Sequence, residues 1–94
     1  MVALRWKPGT GDGEVDAIAR ALRALPDRIS SVRSLTAGRD LDLHPDNADF
    51  AIVVDFDDED GWQAYQDDPE HRRIVAEMIA PVLAQRTAIQ VRHP

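Results

Sequence analysis

Tyr65 and His71 stand six positions apart in the run Tyr65-Gln66-Asp67-Asp68-Pro69-Glu70-His71. A phenol that donates a hydrogen bond and an imidazole that accepts a proton could enolise a small carbonyl compound. The imidazole would take the proton from carbon, and the phenol would stabilise the oxygen as it gains charge. Asp68 reads as a helix N-cap, Pro69 as the first helical position and Glu70 as the second, so His71 falls at the third. Unsatisfied amides and the positive dipole end at that place disfavour imidazolium, which predicts a largely neutral ring at pH 7. The same residues also have a purely structural reading, in which Asp68 and His71 cap one another and Tyr65 packs as a half-buried aromatic.

Other chemistries have weaker footing. The chain has no cysteine, which excludes disulfides, thiolate metal sites and cysteine nucleophiles. The acidic cluster Asp55, Asp57, Asp58, Glu59 and Asp60 fails the EF-hand template, because glycine falls one place late at Gly61 and Gln66 replaces the closing glutamate. It reads as helix capping. His44, Asp46 and Asp49 are a metal trio on paper, but an Asx-rich turn explains them. No metal or cofactor is therefore expected. The Gly9-Thr10-Gly11-Asp12-Gly13 segment lacks the P-loop ending and the dinucleotide spacing, and reads as a turn. Ser30, Ser31 and Ser34 sit in no nucleophile elbow, and His93 is adjacent to the chain end.

The elements that must position the pair follow from periodicity. Val2, Leu4 and Trp6 alternate with polar or small residues as in a half-buried strand. Val15, Ile18, Ala19, Leu22 and Leu25 recur at helical spacing up to Pro26. Val32 to Gly38 reads as a second strand, and Phe50, Ile52, Val54 and Phe56 mark a third. Asp57 or Asp58 caps the next helix, on which Trp62 and Tyr65 share a face. A further helix from Asp68 turns Ile74, Val75, Met78, Ile79, Val82 and Leu83 inward, with Pro81 loosening its last turn. Thr87, Ile89 and Val91 alternate as a final strand.

The order β-α-β-β-α-β predicts an α+β, ferredoxin-like plait over residues 1–94 as a single domain: a four-stranded antiparallel sheet with helices on one face. Trp6, Phe50, Ile52, Val54, Phe56, Trp62, Ile74 and Met78 would line the space between sheet and helices, as core or as the wall of a small-molecule pocket. The other sheet face, assigned Ala3, Arg5, Leu35, Ala37, Ala51, Val53, Ala88 and Gln90, has no helix left to cover it. A second copy would do so, which predicts a homodimer.

In these pieces the chain resembles the stress-responsive A/B barrel domain family, the dimeric α+β barrels. The resemblance rests on Leu4-Arg5-Trp6-Lys7, Val32-Arg33-Ser34-Leu35 with Gly38-Arg39-Asp40, Asp49 to Phe56, and Ala64 to His71. The last looks like the family's Tyr-x-x-His-Pro-x-His signature with Asp68 in place of the first histidine. The resemblance implies two sheets closing into a barrel. It also implies that Tyr65 and His71 match the tyrosine and histidine of a plant polyketide cyclase of the family, although most members have no assigned reaction. Two functions stay open: a homodimer of unassigned activity binding a small molecule, and a cofactor-free cyclase-like enzyme with His71 as base and Tyr65 as donor.

Charge narrows the partners. Seventeen acidic against 11 basic residues give a formal net charge of −6, which repels phosphate backbones and anionic lipid. No nucleic acid or membrane partner is expected, and the simplest location is cytoplasmic.

Overall fold

The computed structural model describes residues 1–92, so His93 lies outside the described residues. The elements run β1 (Val2–Trp6), α1 (Asp12–Arg23), α2 (Leu25–Arg28), β2 (Val32–Arg39), β3 (Phe50–Phe56), α3 (Glu59–Asp67), α4 (Pro69–Arg73), a π-helical segment (Ile74–Ile79), a 3₁₀ turn (Ala80–Val82) and β4 (Leu83–Ala88). The sheet order is β2-β3-β1-β4, with every neighbouring pair antiparallel. This is the predicted plait, with β1 and β3 at the centre.

The first crossover is regular. Gly9, at φ +86°, takes the left-handed turn after β1 that a side chain would strain. Gly11 is the N-cap of α1, and the helix buries Val15, Ile18, Ala19 and Leu22 against the sheet. Pro26 does not end helical structure outright. The chain bends at Ala24 and makes one more turn, α2, with Pro26 in the first turn where its missing N–H costs nothing. Leu25 and Ile29 are buried on either side of it.

The second crossover is broken into four pieces. Asp58 caps α3 by accepting from the Gly61 amide, and Asp68 caps α4 by accepting from the amides of Glu70 and His71. Gly61 sits where a Cβ would meet Ser31, Phe56 and Asp58 atoms at 3.4–3.5 Å, so α3 lies tightly on the strands. The Ser31 hydroxyl donates to the Gly61 carbonyl across that contact at 2.9 Å. Beyond α4 the helix widens. In an α-helix the Pro81 ring would press on the Glu77 carbonyl; the wider turn ahead of it gives that carbonyl room. Ile74 and Ile79, five apart, are both buried, and the Ala80 amide reaches the Val75 carbonyl. Val75, expected on the buried side, is instead 41% exposed, because π spacing rotates it off the core face.

Two further expectations need correction. The final strand is Leu83–Ala88, earlier than Thr87–Val91, and Ile89 and Val91 are exposed beyond it. Backbone pairing with β1 holds this edge strand, which explains why its side chains carry so weak an apolar pattern. The uncovered face also has different members. A bulge at Arg33 lets Val32 pair with Phe56 while Ser34 pairs with Asp55, so the alternation of β2 shifts by one. Leu35 and Ala37 therefore sit opposite Val54 and Ile52 on the helix side, and Ala88, opposite Val2, joins them. Gln90 lies past β4. The open face is made of Ala3, Arg5, Ser34, Thr36, Gly38, Ala51, Val53, Asp55, Gln85 and Thr87. It is smaller in side-chain size and more polar than expected, with Val53 its one exposed large hydrophobic.

Candidate functional site

The last turn of α3 and the first of α4 bring Tyr65 and His71 together. Asp68 sets the junction. Its extended backbone ends α3, and its carboxylate Oδ1 accepts from the Glu70 and His71 amides at 2.9 and 3.1 Å. Arg28 of α2 reaches the same oxygen at 3.2 Å, tying the junction to the first crossover. Partial burial raises the Asp68 carboxyl, but the His71 amide, Arg28 and the Glu70 amide outweigh it, holding the group below the usual carboxylate range. The reciprocal cap of the structural reading is thus half present: Asp68 receives the His71 backbone, and the imidazole is turned elsewhere.

It is turned against the phenol. The Tyr65 and His71 ring centroids are 4.1 Å apart, and the Phe56 ring also packs on Tyr65, at 5.4 Å. Tyr65 is 6% exposed, and burial pushes its hydroxyl up to about 12, so it remains a hydrogen-bond donor at neutral pH. No described residue pairs with that hydroxyl. Burial also lowers the His71 pKa, assisted by Arg72 and opposed by the Gln66 carbonyl and Asp68. The ring is therefore neutral at pH 7. Its Nδ1 atom is buried and has no hydrogen-bond partner among the described residues. Most buried polar atoms are paired, so an orphan of this kind calls for an explanation.

The eight predicted lining residues divide into groups. Phe56 joins Tyr65 and His71 at one end of β3. Trp6 and Phe50 meet at the other in a tilted contact, with centroids 5.5 Å apart, and six residues of strand separate Phe50 from Phe56 by roughly 20 Å. Phe50, Ile52 and Ile74 are in the buried core, with Val54 and Met78 packed against it. Trp62 is half-buried on α3. Arg28, which anchors the Asp68 cap, was missed by sequence reasoning; nothing in its local spacing signals a contact forty residues away.

Other acidic groups of the cluster have structural employment in part. Asp57 pairs with Arg33, and Asp58 caps α3. The trio of the long loop comes apart: His44 Nδ1 accepts from the Asp46 amide at 3.1 Å, while Asp49 accepts from the Trp6 amide at 2.9 Å. Among the described residues no group of three His, Asp or Glu side chains could hold a metal ion, and no helix is long and apolar enough to cross a membrane.

With this geometry in hand, the likeness to solved structures is informative. A dimeric ferredoxin-like protein of unknown function from Thermobifida fusca is 42% identical, with a TM-score of 0.85 over 94% of this chain and 82% of that one. A dimeric protein of ferredoxin-like fold from Bacteroides fragilis, 22% identical, gives 0.81 over 94% and 87%. An Arabidopsis thaliana protein, 14% identical, gives 0.81 over 99% and 91%. The last two speak for the fold alone. No curated protein matches the chain. The family model described as Stress Responsive A/B Barrel Domain matches residues 1–92, and the chain belongs to that family.

Proposed function

We propose that the protein is a cytoplasmic homodimer, paired through its open sheet face, that binds a small molecule beside Tyr65 and His71. The observation that carries the ligand is the orphaned Nδ1 of His71. A neutral imidazole with a buried, unmatched nitrogen next to a phenol of free hydroxyl offers one acceptor and one donor within an apolar setting, the composition of a small-molecule site. The pairing rests on a sheet face that no helix covers and on the dimeric state of the Thermobifida fusca relative.

The same atoms favour a second reading, a cofactor-free enzyme acting on a small carbonyl compound. His71 Nδ1 would remove the proton from the carbon next to the carbonyl, and the Tyr65 hydroxyl would hydrogen-bond the enolate oxygen. A neutral base and a protonated phenol at pH 7 are the states this step requires. Native mass spectrometry of the dimer against small ketones and phenols tests both readings. Bound adducts lost in Tyr65→Phe and His71→Ala support the site, and released product supports the enzyme. Adducts unchanged in both variants would remove the pair from function.

A further inference from the structure

Away from the Tyr65–His71 pair, α1 and β2 frame an open cleft of about 260 Å³. Arg20, Arg23 and Arg39 all line it, beside the Asp16 carboxylate and the small or apolar Val15, Ala19 and Gly38. Three guanidiniums meeting at one place is unexpected in a chain of net charge −6. Two of them are held in place. Arg39 donates to Asp12 Oδ1 at 2.9 Å and Asp16 Oδ1 at 2.7 Å. Arg23 donates through Nε and Nη2 to the Ala37 carbonyl at 3.0 and 2.7 Å, leaving Nη1 unengaged among the described residues.

Arg20 makes no hydrogen bond among the described residues, although its charge lies near enough to Asp16 to help lower that carboxyl. Asp16 stands four positions before it on α1, the spacing of a stabilising pair, yet Asp16 turns to Arg39 instead. Arg20 and Arg23, three apart, share a helix face and repel each other, and the Asp16 carboxylate that feels both charges hydrogen-bonds to Arg39. The helix dipole accounts for some positive charge at the end of α1. It does not account for Arg39 arriving from the strand, nor for Asp12 and Asp16 both accepting hydrogen bonds from Arg39 and none from Arg20 or Arg23.

We propose that this cleft binds a small oxyanion, a phosphate or carboxylate group, between the guanidiniums of Arg20 and Arg23, with Arg39 fixing the wall. A planar guanidinium presents paired donors that match either group, and a pre-positioned one loses little freedom on binding. The site is independent of the Tyr65–His71 reading.

Amide NMR titration of the intact protein at low ionic strength, once with inorganic phosphate and once with malonate, tests it. Saturable shifts confined to residues 15–23 and 37–40 are expected with at least one of the two anions. The anion that saturates identifies which chemistry the site prefers. Arg20→Gln, an exposed change, should weaken binding by about tenfold, the scale of one charged hydrogen bond. Arg86→Gln, on β4, should leave it unchanged. Shifts that fail to saturate with both anions, that spread over the molecule, or that persist in Arg20→Gln would overturn the proposal.

Discussion

The two crossovers cover the same sheet and are built differently. The first is a twelve-residue helix with four buried side chains at regular spacing, followed by one further turn. The second changes character twice between Glu59 and Val82, from α through π to 3₁₀. Regularity serves packing: each buried residue of α1 recurs where 3.6-residue spacing puts it. The irregular crossover gives up some of that economy. It holds Tyr65, His71 and the one buried side-chain nitrogen without a partner among the described residues. Departures from regular helix geometry tend to gather at functional sites, and here the departure begins three residues after His71.

The contrast can be broken or sharpened by mutation. Leu22→Ala in α1 and Ile74→Ala at the start of the π segment each empty a fully buried position, and each should cost about 3 kcal/mol in urea unfolding. If Ile74→Ala were near neutral, the second crossover would be only loosely packed on the sheet. Asp68→Ala removes the acceptor of two backbone amides and the Arg28 contact, and should cost about 1 kcal/mol. Because the Asp68 pKa is depressed in the folded state, its contribution is present above the usual carboxylate range and fades as pH falls through the depressed value. Acid titrations of the wild type and Asp68→Ala should therefore converge at low pH. The smallest effect belongs to Val75→Ala, expected below about 0.5 kcal/mol for an exposed site. A cost like that of Ile74→Ala would mean that α-helical spacing continues and the π turn is absent in solution.

Much of this was legible in the chain. The plait, the core face of α1 and the Asp68 cap follow from local pattern and capping chemistry. What escaped was non-local or irregular. The extra residue at Arg33 inverts the alternation of β2, and nothing in Val32–Gly38 marks it, because Val32 and Leu35 are apolar on either reading. The strand Leu83–Ala88 carries almost no apolar signal, so the more hydrophobic Ile89 and Val91 drew the assignment past its end. The widening before Pro81 was foreseen only as a loosened turn. For the site, the sequence marked Tyr65 and His71 as candidates, and the break at Asp68 sets their rings side by side. The orphaned Nδ1 and the Arg28 bridge depend on how separate elements dock.

The corrected open face bears on the dimer. Ala3, Ala51, Thr36, Thr87 and Val53 give this face a mostly small surface, interrupted by Arg5, Ser34, Asp55 and Gln85, on which a second sheet can lie. Val53→Asp should leave the fold intact and turn a dimer into a monomer in sedimentation, since it would bury an unpaired charge at the contact. A wild type that sediments as a monomer at micromolar concentration would sink the pairing.

The central claim is that the broken crossover presents a neutral imidazole with a free, buried nitrogen. Burial lowers the His71 pKa, so the folded state disfavours its charged form. The resulting stability is complete above the unfolded value of about 6.5 and is lost as pH falls through the folded one. An NMR pH titration of the His71 ring nitrogens tests the claim directly. A midpoint below about 6.5 is expected, with the proton on Nε2 and a bare Nδ1 at neutral pH. A midpoint at or above that value, or a proton resident on Nδ1, would contradict it.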